Sequence, residues 1–84
     1  MAYQLVILRR AQKELAKIPE PDYSRVVMAI QALAEVPRPP GCIKLTGREA
    51  WRIRVGQYRV IYEITDAVCI VTVVDVGNRR DIYR

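Results

Sequence analysis

The 84-residue sequence predicts an α+β fold: an N-terminal strand, then an antiparallel helical hairpin packed on one face of a mainly antiparallel twisted sheet. Apolar residues recur at spacings of three and four through the first half of the chain and alternate through the second. The change falls at Pro37-Arg38-Pro39-Pro40-Gly41, a run that no helix or central strand can cross. The later apolar runs are joined by turns only a few residues long, and such connections link antiparallel strands.

Residues 2–7, AYQLVI, are rich in β-formers and read as a short first strand. Over residues 8–18, Leu8, Ala11, Leu15 and Ile18 form an apolar stripe, with Arg9, Arg10, Lys13, Glu14 and Lys17 as the solvent face of an amphipathic helix. Pro19-Glu20-Pro21-Asp22 ends that helix, and Pro21 with Asp22 suits the first turn of a second. The second helix is expected to run to about Glu35, with Tyr23, Val26, Val27, Ile30, Leu33 and Ala34 facing the core. Strands follow at 51–55, 58–64 and 68–76, with a further short piece near 80–83.

Gly56-Gln57 fits a two-residue hairpin loop in which glycine takes the positive φ of a type II′ turn. That loop pairs Val55 with Tyr58, Arg54 with Arg59, Ile53 with Val60, Arg52 with Ile61 and Trp51 with Tyr62. Alternation then assigns Trp51, Ile53, Val55, Tyr58, Val60, Tyr62 and Ile64 to the core and Arg52, Arg54, Arg59, Ile61 and Glu63 to the opposite face. A tight turn at Asp66-Ala67 would set Val74 beside Arg59 and Thr72 beside Ile61, giving an exposed arginine cluster on an apolar floor. Facing arginines repel each other across a strand pair unless an anion lies between them.

Length and composition set the frame for function. A chain of this size makes a single domain, residues 1–84, with one modest core. Its 51% hydrophobic content argues against disorder, and no apolar run is long enough for a membrane span. The N-terminus lacks the pattern of a secretory leader, so the cytoplasm is the expected compartment and no membrane partner is expected. Cys42 and Cys69 are expected to be reduced, with Cys69 in the core; with no histidine in the chain, neither suggests a metal site. A net charge of +5 and a pI near 9.6 favour anionic partners.

Nothing resembles a carboxylate pair, a phosphate-binding glycine loop or a Ser/His/Asp set. Guanidinium groups grip phosphate in bidentate geometry and stabilise the charge that develops during phosphoryl transfer. They accept protons poorly. RNA cleavage by its own 2′-hydroxyl suits such a toolkit, because the substrate carries the nucleophile and the protein aligns and stabilises.

The order strand, two helices, strands, together with KLTG at 44–47, WRIRVGQYRVIYEI at 51–64 and VVDVGNRRDIYR at 73–84, resembles the RelE/ParE superfamily of toxins from type II toxin–antitoxin systems. In RelE-like members the resemblance implies a metal- and cofactor-independent mRNA endonuclease that enters the A site of the 70S ribosome. It would cut the codon there by 2′-hydroxyl attack, inhibiting translation and leaving a cyclic phosphate and a 5′-hydroxyl. It also implies a cognate antitoxin, through which alone operator DNA would be engaged. Arg52, Arg54, Arg59, Arg79 and Tyr83 then fall at catalytic positions, and Lys44, Arg48, Arg80 and Arg84 are expected to hold RNA. The chain departs from the pattern in two respects. Arginines stand where RelE-like enzymes use lysines in the second strand, and Asn78 stands where several relatives carry histidine, so the proton acceptor has no assigned residue. The alternative that the resemblance leaves open is a ParE-like toxin that inhibits DNA gyrase without cutting RNA; a third is a degenerate toxin that only binds its antitoxin.

Overall fold

The computed structural model describes residues 2–78. β1 (Gln4–Ile7) leads into α1 (Arg9–Leu15) and α2 (Asp22–Ala32), followed by β2 (Ile43–Lys44), β3 (Trp51–Val55), β4 (Tyr58–Thr65) and β5 (Ile70–Asn78). The strands form one sheet in the order β1-β5-β4-β3-β2. β1 runs parallel to β5, from Gln4 beside Ile70 to Ile7 beside Val73, and the remaining pairs are antiparallel. This is the α+β architecture the sequence predicts. A parallel edge pair arises because β1 and β5 lie at opposite ends of the chain, joined through the whole helical hairpin and the other strands.

Both helices cover the same face of the sheet. Ala11, Leu15, Ile18, Val26, Ile30 and Leu33 pack on Ile53, Val60, Tyr62, Val71, Val73 and Val76. Each fully buried aliphatic side chain here contributes about 1.5–3 kcal/mol relative to exposure, and the stripe at spacings of three and four is what lets one helix face supply several. α1 stops at Leu15, three residues short of the expected end, although Ile18 stays buried in the turn that follows. α2 stops at Ala32: beyond it the amides of Leu33, Ala34 and Glu35 bond three residues back at 3.0–3.1 Å, a tightening into 3₁₀ geometry ahead of the prolines. Tyr23 is 39% exposed where the sequence places it in the core. Periodicity sets a direction around the helix axis but not whether another element lies beneath the first turn.

β2 has no counterpart in the sequence reading. Two residues cannot display alternation, and the strand exists because Ile43 and Lys44 pair with Arg52 and Trp51. Cys69 also departs from expectation. It is half-buried, with a left-handed φ of 55° after the 3₁₀ turn Asp66–Val68, so it closes a turn instead of filling the core. Both cysteines are free thiols.

A polar cluster ties the proline linker to the sheet. The Arg38 guanidinium lies 5.1 Å from the Trp51 ring centroid and 2.9 Å from Asp66 Oδ2, while the Tyr3 hydroxyl donates to Asp66 Oδ1 at 2.7 Å. Those bonds from Arg38 and then Tyr3 hold the Asp66 carboxyl below its ordinary pKa. Inside, the Tyr62 hydroxyl donates to the Pro37 carbonyl at 2.7 Å, and burial pushes its pKa well above the usual tyrosine value. Among the described residues no helix is long and apolar enough to cross a membrane.

Candidate nucleic-acid interface

The β3–β4 hairpin has the expected register throughout: Val55–Tyr58, Arg54–Arg59, Ile53–Val60, Arg52–Ile61 and Trp51–Tyr62. Gly56 takes φ 59° and Gln57 stays outside the left-handed region, as a type II′ turn requires. Ile53, Val60 and Tyr62 are buried under the helices, so Arg52, Arg54, Arg59 and Ile61 share the other face. Facing partners on neighbouring strands have Cβ atoms about 5 Å apart, which brings Arg54 and Arg59 within reach of one phosphate.

The three arginines do not form the open cluster expected of them. Arg54 is exposed, Arg52 half-buried, and Arg59 only 1% exposed, with Ile61 beside it also buried. Their places in the sheet account for part of this gradient. β4 is the central strand, flanked along Arg59 by both β3 and β5, whereas β2 reaches only as far as Arg52 and, among the described residues, no strand lies beside the Arg54 edge of β3.

β5 departs more sharply. Gly77, not Val74, stands beside Arg59; Asp75, not Thr72, stands beside Ile61; Thr72 pairs with Glu63. Two causes act together. The 3₁₀ turn and left-handed Cys69 make the connection longer than a two-residue loop, so Thr65 pairs with Ile70. A bulge between Ile61 and Tyr62 then inserts Val74 as an extra residue on β5. The bulge lets Val71, Val73 and Val76 all point inward and turns Asp75 out onto the arginine face. The sequence carried a signal for this: strict alternation from Val71 through Val73 would drive Asp75 into the core.

Arg10, assigned from the sequence to the solvent face of α1, meets this aspartate. β1 ends beside Val73, so among the described residues the β5 edge from Val74 onward has no strand partner, and the start of α1 passes there. Arg10 Nη2 lies 3.0 Å from Asp75 Oδ2, with the carboxylate side chain 26% exposed. The face therefore reads, across the strands, Arg54–Arg59–Gly77 in one row and Arg52–Ile61–Asp75 in the next.

Lys44 and Arg48 lie away from these rows. Lys44 is opposite Trp51 and so belongs to the helix-side face, where its ammonium is 2.9 Å from Glu49 Oε2; Arg48 is exposed in the β2–β3 connection. Arg79, Arg80, Tyr83 and Arg84, and the short strand expected near 80–83, lie outside the described residues. Among the described residues no group of three or more His, Cys, Asp or Glu side chains is placed to hold a metal ion.

Comparison with known proteins places this geometry. The family described as "ParE toxin of type II toxin-antitoxin system, parDE" matches residues 5–83. Among solved structures, the chain is similar to archaeal RelE in its complex with RelB from Pyrococcus horikoshii OT3, with 28% identity, 94% of this chain and 97% of that one covered, and a TM-score of 0.83. It is similar to a chain of the toxin–antitoxin complex RelBE2 from Mycobacterium tuberculosis, with 26% identity, 94% and 100% coverage and a TM-score of 0.81. The isolated RelE toxin of E. coli matches with 29% identity, 98% and 92% coverage and a TM-score of 0.80. No curated protein sequence matches the chain.

Proposed function

The chain belongs to the ParE toxin family of type II toxin–antitoxin systems, within the RelE/ParE superfamily, and from that premise we propose that it is an mRNA endonuclease acting on the ribosome. The observation that carries this reading is the Arg54–Arg59 pair, opposed across two strands on the face that also bears Arg52. Two arginines facing each other across neighbouring strands offer paired donors that suit the oxygens of a phosphate. RelE structures being at 28–29% identity over nearly the whole chain supports RNA as the polyanion.

In this mechanism Arg54 and Arg59 bind the scissile phosphate and stabilise the charge that grows on its oxygens as the 2′-oxygen attacks. Arg52, one row along, holds the neighbouring phosphate. Arg79 and Tyr83 belong to the same proposed site, as leaving-group and substrate-orienting residues, and Lys44, Arg48, Arg80 and Arg84 would contact RNA outside it. So small a surface offers few contacts, which is the physical reason to expect the ribosome to align the mRNA. A cognate antitoxin with an acidic segment over the arginine face would neutralise the activity; two of the similar structures are toxin–antitoxin complexes.

The test is primer extension on mRNA from programmed ribosomes incubated with the protein, beside an Arg54→Ala variant and a gyrase supercoiling assay. Arg54 is the right probe because it is exposed, so its loss leaves the core intact. Cuts at the A-site codon that fall at least about 100-fold with Arg54→Ala, the loss typical of one charge-stabilising donor, are the expected result. The second reading, gyrase inhibition, is favoured by the name of the matching family. Intact mRNA with impaired supercoiling would establish it.

A further inference from the structure

Arginine holds its proton to pH values above about 12, so attack by a 2′-hydroxyl at an arginine-lined phosphate needs an acceptor of another kind. Two carboxylates share the arginine face among the described residues of β4 and β5. Glu63 sits opposite Thr72, four residues along β4 from Arg59, and so about 13 Å away at 3.3 Å per residue. Asp75 is opposite Ile61, one row from Arg59, and therefore diagonal to it at about 7–8 Å, a gap the size of a bound phosphate. Gly77, the cross-strand partner of Arg59, puts no side chain into that gap.

Resting on the endonuclease reading above, we propose that Asp75 is the general base of RNA cleavage and that Arg10 is the positioning residue that aims it. Arg10 reaches round the open edge of β5 and engages Oδ2 at 3.0 Å, which fixes the carboxylate plane and leaves Oδ1 as the oxygen to meet substrate. The 2′-hydroxyl gives its proton to Oδ1, the 2′-oxygen forms a bond to phosphorus, and the bond from phosphorus to the 5′-oxygen breaks. The departing oxygen takes a proton from water, and Asp75 returns its own to solvent. Among the described residues the cations on the elements around this carboxylate are Arg10 on α1, Arg59 on β4 and Arg52 on β3, and Glu63 is the further acidic group on the face. The bulge at Val74 is what creates the site, since without it the aspartate would face the core.

Single-turnover cleavage on programmed ribosomes tests this. Asp75→Asn should slow cleavage by about 100-fold or more while ribosome binding and thermal unfolding stay near those of the parent. Asp75→Glu should keep part of the rate. Arg10→Ala should cost less, in the rate of the cleavage step and not in ribosome binding, and Arg10→Lys should restore part of that loss. The Arg10 pair tests the proposal independently of whether Asp75→Asn folds. Full-rate cleavage by Asp75→Asn, or an Arg10→Ala loss that Arg10→Lys does not reduce, overturns the assignment while leaving the endonuclease standing. A parent protein that inhibits gyrase and cuts no RNA overturns both.

Discussion

Arg54 and Arg59 face each other and yet differ in what their removal should do. Arg54→Ala is expected to change stability by less than about 0.5 kcal/mol, as for most exposed positions, and to act on RNA binding and cleavage. Arg59→Ala removes a side chain that is 1% exposed, and its long aliphatic stem packs with its surroundings, so a loss of about 2 kcal/mol or more in chemical denaturation is expected with any loss of activity. An inactive Arg59 variant is thus informative only beside its unfolding curve. Tyr62 makes a second residue-level prediction. Its ionisation is pushed above the usual tyrosine value by burial, so its contribution is complete below pH ~10 and falls as the pH rises past that point, where the unfolded chain ionises and the folded one does not. Tyr62→Phe should cost about 1 kcal/mol at neutral pH through the lost bond to Pro37 and should remove this alkaline decline.

At the scale of elements, the two hairpins contrast in how openly the sequence declares them. Gly56 sets the β3–β4 loop, and with it a five-pair register that the two-residue turn made legible, while alternation gave the faces. Gly56→Ala should cost about 1–2 kcal/mol, because φ 59° brings a Cβ against the following carbonyl oxygen, and the thermal midpoint should fall accordingly. The β4–β5 pairing hides its register in a 3₁₀ turn and a bulge. Deleting Val74 removes the extra residue and leaves Val73, Asp75 and Val76 in plain alternation, with both valines inward and Asp75 still on the arginine face, so the deletion variant should unfold cooperatively, as judged by calorimetry. Loss of cooperative unfolding in that variant would show that the bulge does more than correct the facing of Asp75.

At the scale of the whole molecule, the Tyr3–Asp66–Arg38–Trp51 cluster joins four stretches: the start of the chain, the proline linker, the start of β3 and the β4–β5 turn. The depressed Asp66 pKa means that its contribution is present above the ordinary carboxylate range and lost as the pH falls below about 4 toward the folded value. Arg38→Ala should therefore flatten the fall in melting temperature on acidification. The net charge of +5 gives a second whole-molecule expectation: ribosome or RNA binding should weaken as salt rises, and Arg54→Ala should reduce the slope of log affinity against log salt by nearly one.

The order of elements, the helix-then-strand division, the buried stripes and the facing arginines of β3 and β4 were all legible in the sequence, because each follows from local periodicity or from a turn that glycine and proline dictate. The tail residues of the expected site lie outside the described residues, and the roles of all its arginines stand as proposals. Tertiary structure alone decided the parallel β1–β5 pair, the two-residue β2, the burial of Arg59 and the meeting of Arg10 with Asp75. Each depends on which strand occupies the centre of the sheet and where its neighbours end, and a periodic pattern within one segment holds no information about the edge of another.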